Sequence, residues 1–129
     1  MGKKLVIKGA DFSANAVETD YSWNTVLEGS FVRDSSTSNQ LQYVNLDKNL
    51  PKGTVTRLTQ QVTAGSGEAA IGAKDTNNTL HNTFWHNNIT IDSGVVTDVK
   101  ELTFDMTQLV AWDGAVGTTI TYKLEVRSV

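Results

Sequence analysis

The stretch Ile120-Thr121-Tyr122-Lys123-Leu124-Glu125-Val126-Arg127 decides the fold class. Apolar and polar residues alternate in it without a break, which in extended chain puts Ile120, Tyr122, Leu124 and Val126 on one face. Such a segment is a half-buried antiparallel strand with one dry face and one wet one. Leu102, Phe104 and Met106 alternate in the same way with Glu101, Thr103, Asp105 and Thr107, and Ile89 and Ile91 with Thr90 and Asp92. Leu5 and Ile7 sit against Lys4 and Lys8, with Val6 blurring the pattern. Further strands are expected at 26–33, 41–46 and 54–62, where Val, Leu, Phe, Tyr and β-branched Thr concentrate.

Between these runs lie turns with a mechanism. In Asn49-Leu50-Pro51-Lys52-Gly53, proline presets one dihedral and glycine admits a positive φ. Ala64-Gly65-Ser66-Gly67, Asp92-Ser93-Gly94 and Asp113-Gly114 read as turns or short loops. No stretch keeps a helical period over a helical length, and a short segment around 14–19 is the one helical candidate. About seven to nine short strands with turn signals between them predict an all-β antiparallel sandwich, the jelly roll being the commoner form at this size.

Composition agrees. Seventeen threonines, ten glycines and one proline among 129 residues are the make-up of strands joined by turns. The length fits one domain over 1–129, with no internal repeat or linker. A formal net charge of −3 argues against a nucleic-acid surface, and the cluster Lys3, Lys4, Lys8 is too small to reverse that. There is no cysteine, so disulfides, thiolate metal sites and a cysteine nucleophile are excluded. No apolar run approaches the roughly 20 residues of a membrane helix, so no membrane role is expected. Leu5-Val6-Ile7 is too short for the core of a secretory signal, and Met1 favours synthesis without one. Gly2 would suit myristoylation, but Val6 stands where that motif wants Ser or Thr.

Catalytic patterns are missing. The 14 carboxylates are scattered, Ser66 lies outside a nucleophile elbow, and no phosphate- or dinucleotide-binding loop occurs. No enzyme activity, catalytic residue or cofactor is expected. His81 and His86 lie five residues apart and would face opposite ways on a strand, so two exposed or locally bonded histidines are expected rather than a metal pair. Asp75-Thr76-Asn77-Asn78 and Asp92-Ser93 offer oxygen ligands for a structural calcium, but such clusters more often build turns. No metal site is expected.

The binding candidates are the three tryptophans. Sugar rings stack on aromatic faces while amides bond their hydroxyls, and the same aromatics anchor protein interfaces. Trp85 is followed by His86, Asn87 and Asn88, Trp112 precedes Asp113-Gly114, and Trp23 lies between Ser22 and Asn24. A glycan site would therefore draw on Trp23, Trp85, Trp112 and Asn87. The competing expectation is that each tryptophan plugs the core or an end of the sandwich. Leu50, Val95, Val96, Val110 and Val116 lie near expected loops and are candidates for apolar contact with a partner.

The opening Leu5-Val6-Ile7-Lys8-Gly9-Ala10-Asp11-Phe12-Ser13-Ala14-Asn15-Ala16-Val17 resembles a segment that begins β-rich domains in proteins of gut Bacteroidetes and their crAss-like phages. Some of those domains belong to virion fibres or decorations, and others precede hydrolases or look like carbohydrate-binding modules. The resemblance rests on residues 7–17 and brings no catalytic residues with it. It implies a non-enzymatic virion structural protein, a capsid decoration, head-fibre or tail-fibre subunit. Its partners would be other virion proteins and copies of itself, and its place the virion assembled in the host cytoplasm. The alternative is an extracellular or cell-surface carbohydrate-binding module.

Overall fold

The computed structural model describes residues 22–33 and 41–128, so the strand expected at 5–7, the helical candidate at 14–19 and the segment 7–17 lie outside the described residues. Eight strands follow in chain order: β1 (Ser22–Val32), β2 (Leu41–Leu50), β3 (Val55–Ala64), β4 (Ala69–Asp75), β5 (Leu80–His81), β6 (Val96–Glu101), β7 (Met106–Asp113) and β8 (Thr119–Ser128). They form two four-stranded sheets, in the orders β1-β8-β3-β6 and β2-β7-β4-β5.

The pairings nest. β1 pairs with β8, β2 with β7, β3 with β6 and β4 with β5, all antiparallel. A long hairpin of four strands out and four strands back, wound so that its pairs fall alternately into two sheets, is the jelly roll. The expected all-β antiparallel sandwich is therefore present, in jelly-roll form.

The core is what alternation in each strand buries. β3 turns Thr56, Leu58, Gln60 and Val62 inward, and β8 adds Ile120, Tyr122 and Leu124. From the other sheet come Ala69, Ile71 and Ala73 of β4 and Leu109 and Ala111 of β7. Phe31 of β1 stacks on Tyr122 with ring centroids 5.1 Å apart.

Two expected strands differ. Leu102 and Phe104 are buried but belong to the bend between β6 and β7, and strand structure resumes only at Met106. There the alternation records burial around a bend: Leu102 N donates to Thr54 O, and Gly53 N donates to Leu102 O. Ile89 makes a single bridge to Ala69, and Ile91 opens a one-turn 3-10 helix with its side chain exposed. The turn read at residues 49–53 forms as expected, with Gly53 at φ 97°.

Candidate functional site

The three tryptophans part company in the fold. Trp85 is 3% exposed and belongs to the core, where its Nε1 donates to Thr56 Oγ1 at 3.0 Å. The Thr56 hydroxyl in turn donates to Lys100 O at 2.8 Å. This corrects the expectation that Trp85 offers a stacking face: both faces are covered, and its one polar atom is spent inside the sandwich. The polar neighbours His86, Asn87 and Asn88 are exposed because the segment turns inward at Phe84 and Trp85 and again only at Ile89.

Trp23 lies at the start of β1, half-buried, with the Arg57 guanidinium 4.5 Å above its ring centroid. Arg57 is itself held by Glu125, through Nε to Oε1 at 2.9 Å and Nη2 to Oε2 at 3.0 Å. The guanidinium hydrogen bonds, with Arg57 and Lys123 charge behind them, hold the Glu125 carboxyl below the ordinary carboxylate range against the opposing pull of burial. A planar cation fixed over the indole fills the stacking position on that face. Trp23 therefore braces the outer face of its sheet.

Trp112 is different. It is half-buried near the end of β7, flanked across the strands by Leu41 of β2 and Ala70 of β4. Period-two geometry puts Trp112, Ala70 and Gly72 on the outer face of this sheet, opposite to core-facing Leu109, Ala111 and Ile71. The segment after β5 stays along the β4 edge and leans over that face where it passes Gly72. A Cβ on Gly72 would stand 2.7 Å from His81 O and 2.8 Å from Asn82 Cα, so only glycine lets the backbone pass so close. The segment returns to the sheet at Ile89, whose N and O both bond Ala69.

Between that segment and the indole lies a recess of about 250 Å³ lined by Ala70, Asn82, Thr83, Asn88 and Trp112. Asn88 Nδ2 donates to Glu68 Oε1 at 3.1 Å, which fixes that amide with its oxygen as the remaining acceptor. No charged side chain lines the recess itself. The arrangement offers one aromatic surface, two amides and a hydroxyl, a set that binds neutral polar groups and has nothing to drive covalent chemistry. Of the predicted tryptophans, Trp112 borders this recess, and Trp23 and Trp85 do not line it. Asn87 is exposed beside the recess but does not line it, whereas Asn82, Thr83 and Asn88 do. Sequence reading missed Asn82 and Thr83, because their approach to Trp112 depends on the segment passing Gly72.

The remaining polar clusters are structural in geometry. Asp75 Oδ1 accepts from Asn77 N at 2.8 Å and Thr79 N at 2.9 Å, and Oδ2 lies 3.0 Å from His81 Nε2. The His81 bond first, and the two backbone amides with it, hold the Asp75 carboxyl below its ordinary range. The sequence weighed for calcium is thus a turn whose carboxylate is occupied by its own loop, with Asn78 at φ 64°. His81 also stacks flat on Phe104 at 3.8 Å, and His86 Nδ1 stands 3.3 Å from Asp98 Oδ2, so both histidines are locally partnered. Among the described residues no three His, Asp or Glu side chains are grouped to hold a metal ion.

At the far end of β7, buried Asp113 ties the two sheets. Arg33, just past β1, donates from Nη1 to Asp113 O at 2.9 Å, and Gln42 of β2 donates to Asp113 Oδ2 at 3.1 Å. Desolvation pushes this carboxyl above its ordinary range, against the pull of Arg33 and Gln42.

No known family model matches the chain, and no curated protein matches it.

Proposed function

We propose that the protein is a non-enzymatic structural subunit of a bacteriophage virion, a capsid decoration, head-fibre or tail-fibre component that works by assembly with copies of itself and with other virion proteins. The observation that carries this reading is the β6 edge, one of the two edges of the β1-β8-β3-β6 sheet. β6 pairs with β3 on one side and with no described strand on the other. Val99 of β6 is 52% exposed and Val95, just before the strand, is 61% exposed, with Lys100 and Glu101 beside them. An open strand edge with apolar side chains invites pairing unless charge or a cover blunts it. Jelly rolls are common in capsid proteins, which agrees with the reading without deciding it. The resemblance of residues 7–17 to the opening of phage virion domains points to the same class.

Such an interface would be isologous or would close a ring. Of the other apolar candidates, Val116 is also exposed at 60%, whereas Val110 is buried at 2% and Val96 packs against the core. The test is solution mass by light scattering over a wide concentration range. A defined oligomer is expected, and Val99→Lys is expected to return it to monomer, with unchanged circular dichroism because that side chain lies outside the core. A chain that stays monomeric up to about millimolar concentration and binds no capsid or tail protein of a candidate host phage would overturn the proposal.

A further inference from the structure

We infer that the recess beside Trp112 is a binding site for a neutral pyranose sugar. This goes beyond the assembly reading and does not depend on it.

Three features of the recess select the ligand class. The first is the pairing of an aromatic wall with amides. Trp112 and Ala70 give an apolar floor and side, and Asn82, Thr83 and Asn88 form the opposite rim. A pyranose has the complementary build, with C–H groups on one face and hydroxyls around its edge. Each amide offers both a donor and an acceptor, as a pair of neighbouring hydroxyls requires. No hydrogen bond among the described residues uses the Asn82 or Thr83 side chain, so both can turn toward a ligand without breaking an existing contact.

Charge is the second. The lining holds no Lys, Arg, Asp or Glu, so a phosphate, carboxylate or ammonium group would enter without a counter-charge. Glu68 stands behind Asn88 and is engaged by its amide nitrogen, which leaves the Asn88 oxygen to accept from a sugar hydroxyl. This excludes acidic and basic sugars as preferred ligands and favours neutral hexoses or N-acetylhexosamines.

The third is size. About 250 Å³ is below the roughly 300–1,000 Å³ typical of sites for drug-sized molecules. It suits one sugar ring, with the rest of a glycan running out over the surface. Half-exposed Tyr43 lies on the same outer face, across from Val110, two residues along β7 from Trp112. The Lys74 ammonium lies 4.7 Å from the centre of that ring, so the aromatic contact is confined to Trp112.

The indole N–H signals in two-dimensional NMR give a direct readout, because the chain has three tryptophans in three settings. The full chain would be titrated with methyl β-glucopyranoside, methyl β-galactopyranoside, methyl α-mannopyranoside and N-acetylglucosamine. At least one sugar is expected to shift the Trp112 indole, with a dissociation constant on the order of 1 mM, while the Trp85 and Trp23 signals stay put. Asn82→Ala combined with Thr83→Ala, both at exposed positions, is expected to weaken that response about tenfold, a loss of about 1.4 kcal/mol. Trp112→Phe removes that indole signal, so its binding is read instead from the backbone amides of residues 82, 83 and 88, which are expected to keep a reduced response. Three unmoved indoles with every sugar up to about 50 mM, or a Trp112 shift that the Asn82 and Thr83 changes leave intact, would overturn the assignment. Neither outcome bears on the oligomer mass, so failure here and failure of the assembly reading are separable.

Discussion

Burial alone separates Trp85 from Trp112, and a single hydroxyl shows what burial implies. Thr56 Oγ1 accepts from the Trp85 indole and donates to Lys100 O, so one side chain satisfies a buried donor and spans two strands. Thr56→Val keeps the shape and leaves the indole N–H unpaired, at an expected cost of about 1–3 kcal/mol in urea unfolding. The loss should shrink when Trp85→Phe is added, because the orphaned donor then goes too. Gln60 is the reverse case. It is 1% exposed on the inward face of β3, and neither its amide nitrogen nor its oxygen meets a hydrogen-bonding group of the protein. Gln60→Met should therefore raise stability by about 1 kcal/mol, and an unchanged or lowered urea midpoint would contradict it. None of this was legible in the sequence. Trp85 sits among His86, Asn87 and Asn88, a setting that admits an exposed ring as well as one that plugs the core, since local polarity says nothing of which side chain turns inward.

Elements were legible where one face is wet. β8 alternates cleanly because its outer face carries Thr121, Lys123 and Glu125, and it forms where periodicity places it. β4, Ala69–Asp75, was invisible for two physical reasons. Its first five residues are all buried, so no alternation exists to be read, and Ala and Gly carry little strand propensity. The same small residues make the recess, because Gly72 lets the chain after β5 lie close over the edge of the sheet. Gly72→Ala would put a methyl 2.7 Å from His81 O and 2.8 Å from Asn82 Cα, both backbone atoms with little room to yield. It is expected to cost about 1–3 kcal/mol and to move the backbone amide signals of residues 81–83 more than those of β8. Wild-type stability and unmoved signals would show that the close approach is looser than described. The recess was half legible: Trp112 could be named as a candidate, but its partners Asn82 and Thr83 could not, since that approach is a tertiary event.

At the scale of the whole molecule, nested pairing joins residues far apart in sequence, and local periodicity carries no record of it. A few carboxylates stand in unlike settings in this fold, which sets how stability responds to acid. Glu125, between Arg57 and Lys123, and Asp75, bonded by His81 and two backbone amides, are both held below their ordinary values of 4.5 and 3.8. Each binds a proton less readily in the folded chain than in the unfolded one. Their contribution is therefore full above those ordinary values and is lost as pH falls through them toward the lowered native ones. Asp113 acts in the opposite sense. Desolvation raises it above 3.8, so its ionised form is a burden that acid relieves as pH falls through the raised value. With two groups against one, stability should decline between about pH 5 and pH 3. Urea midpoints measured across that range on three proteins check the assignment. Glu125→Gln, which cannot titrate, should flatten the decline, and Asp113→Asn, which removes the compensating group, should steepen it. A Glu125→Gln protein that loses stability as steeply as the parent would mean that the Arg57 pair does not govern the acid response. A shallower curve for Asp113→Asn would mean that the clip joining Arg33, Gln42 and Asp113 stabilises the ionised carboxylate more than burial penalises it.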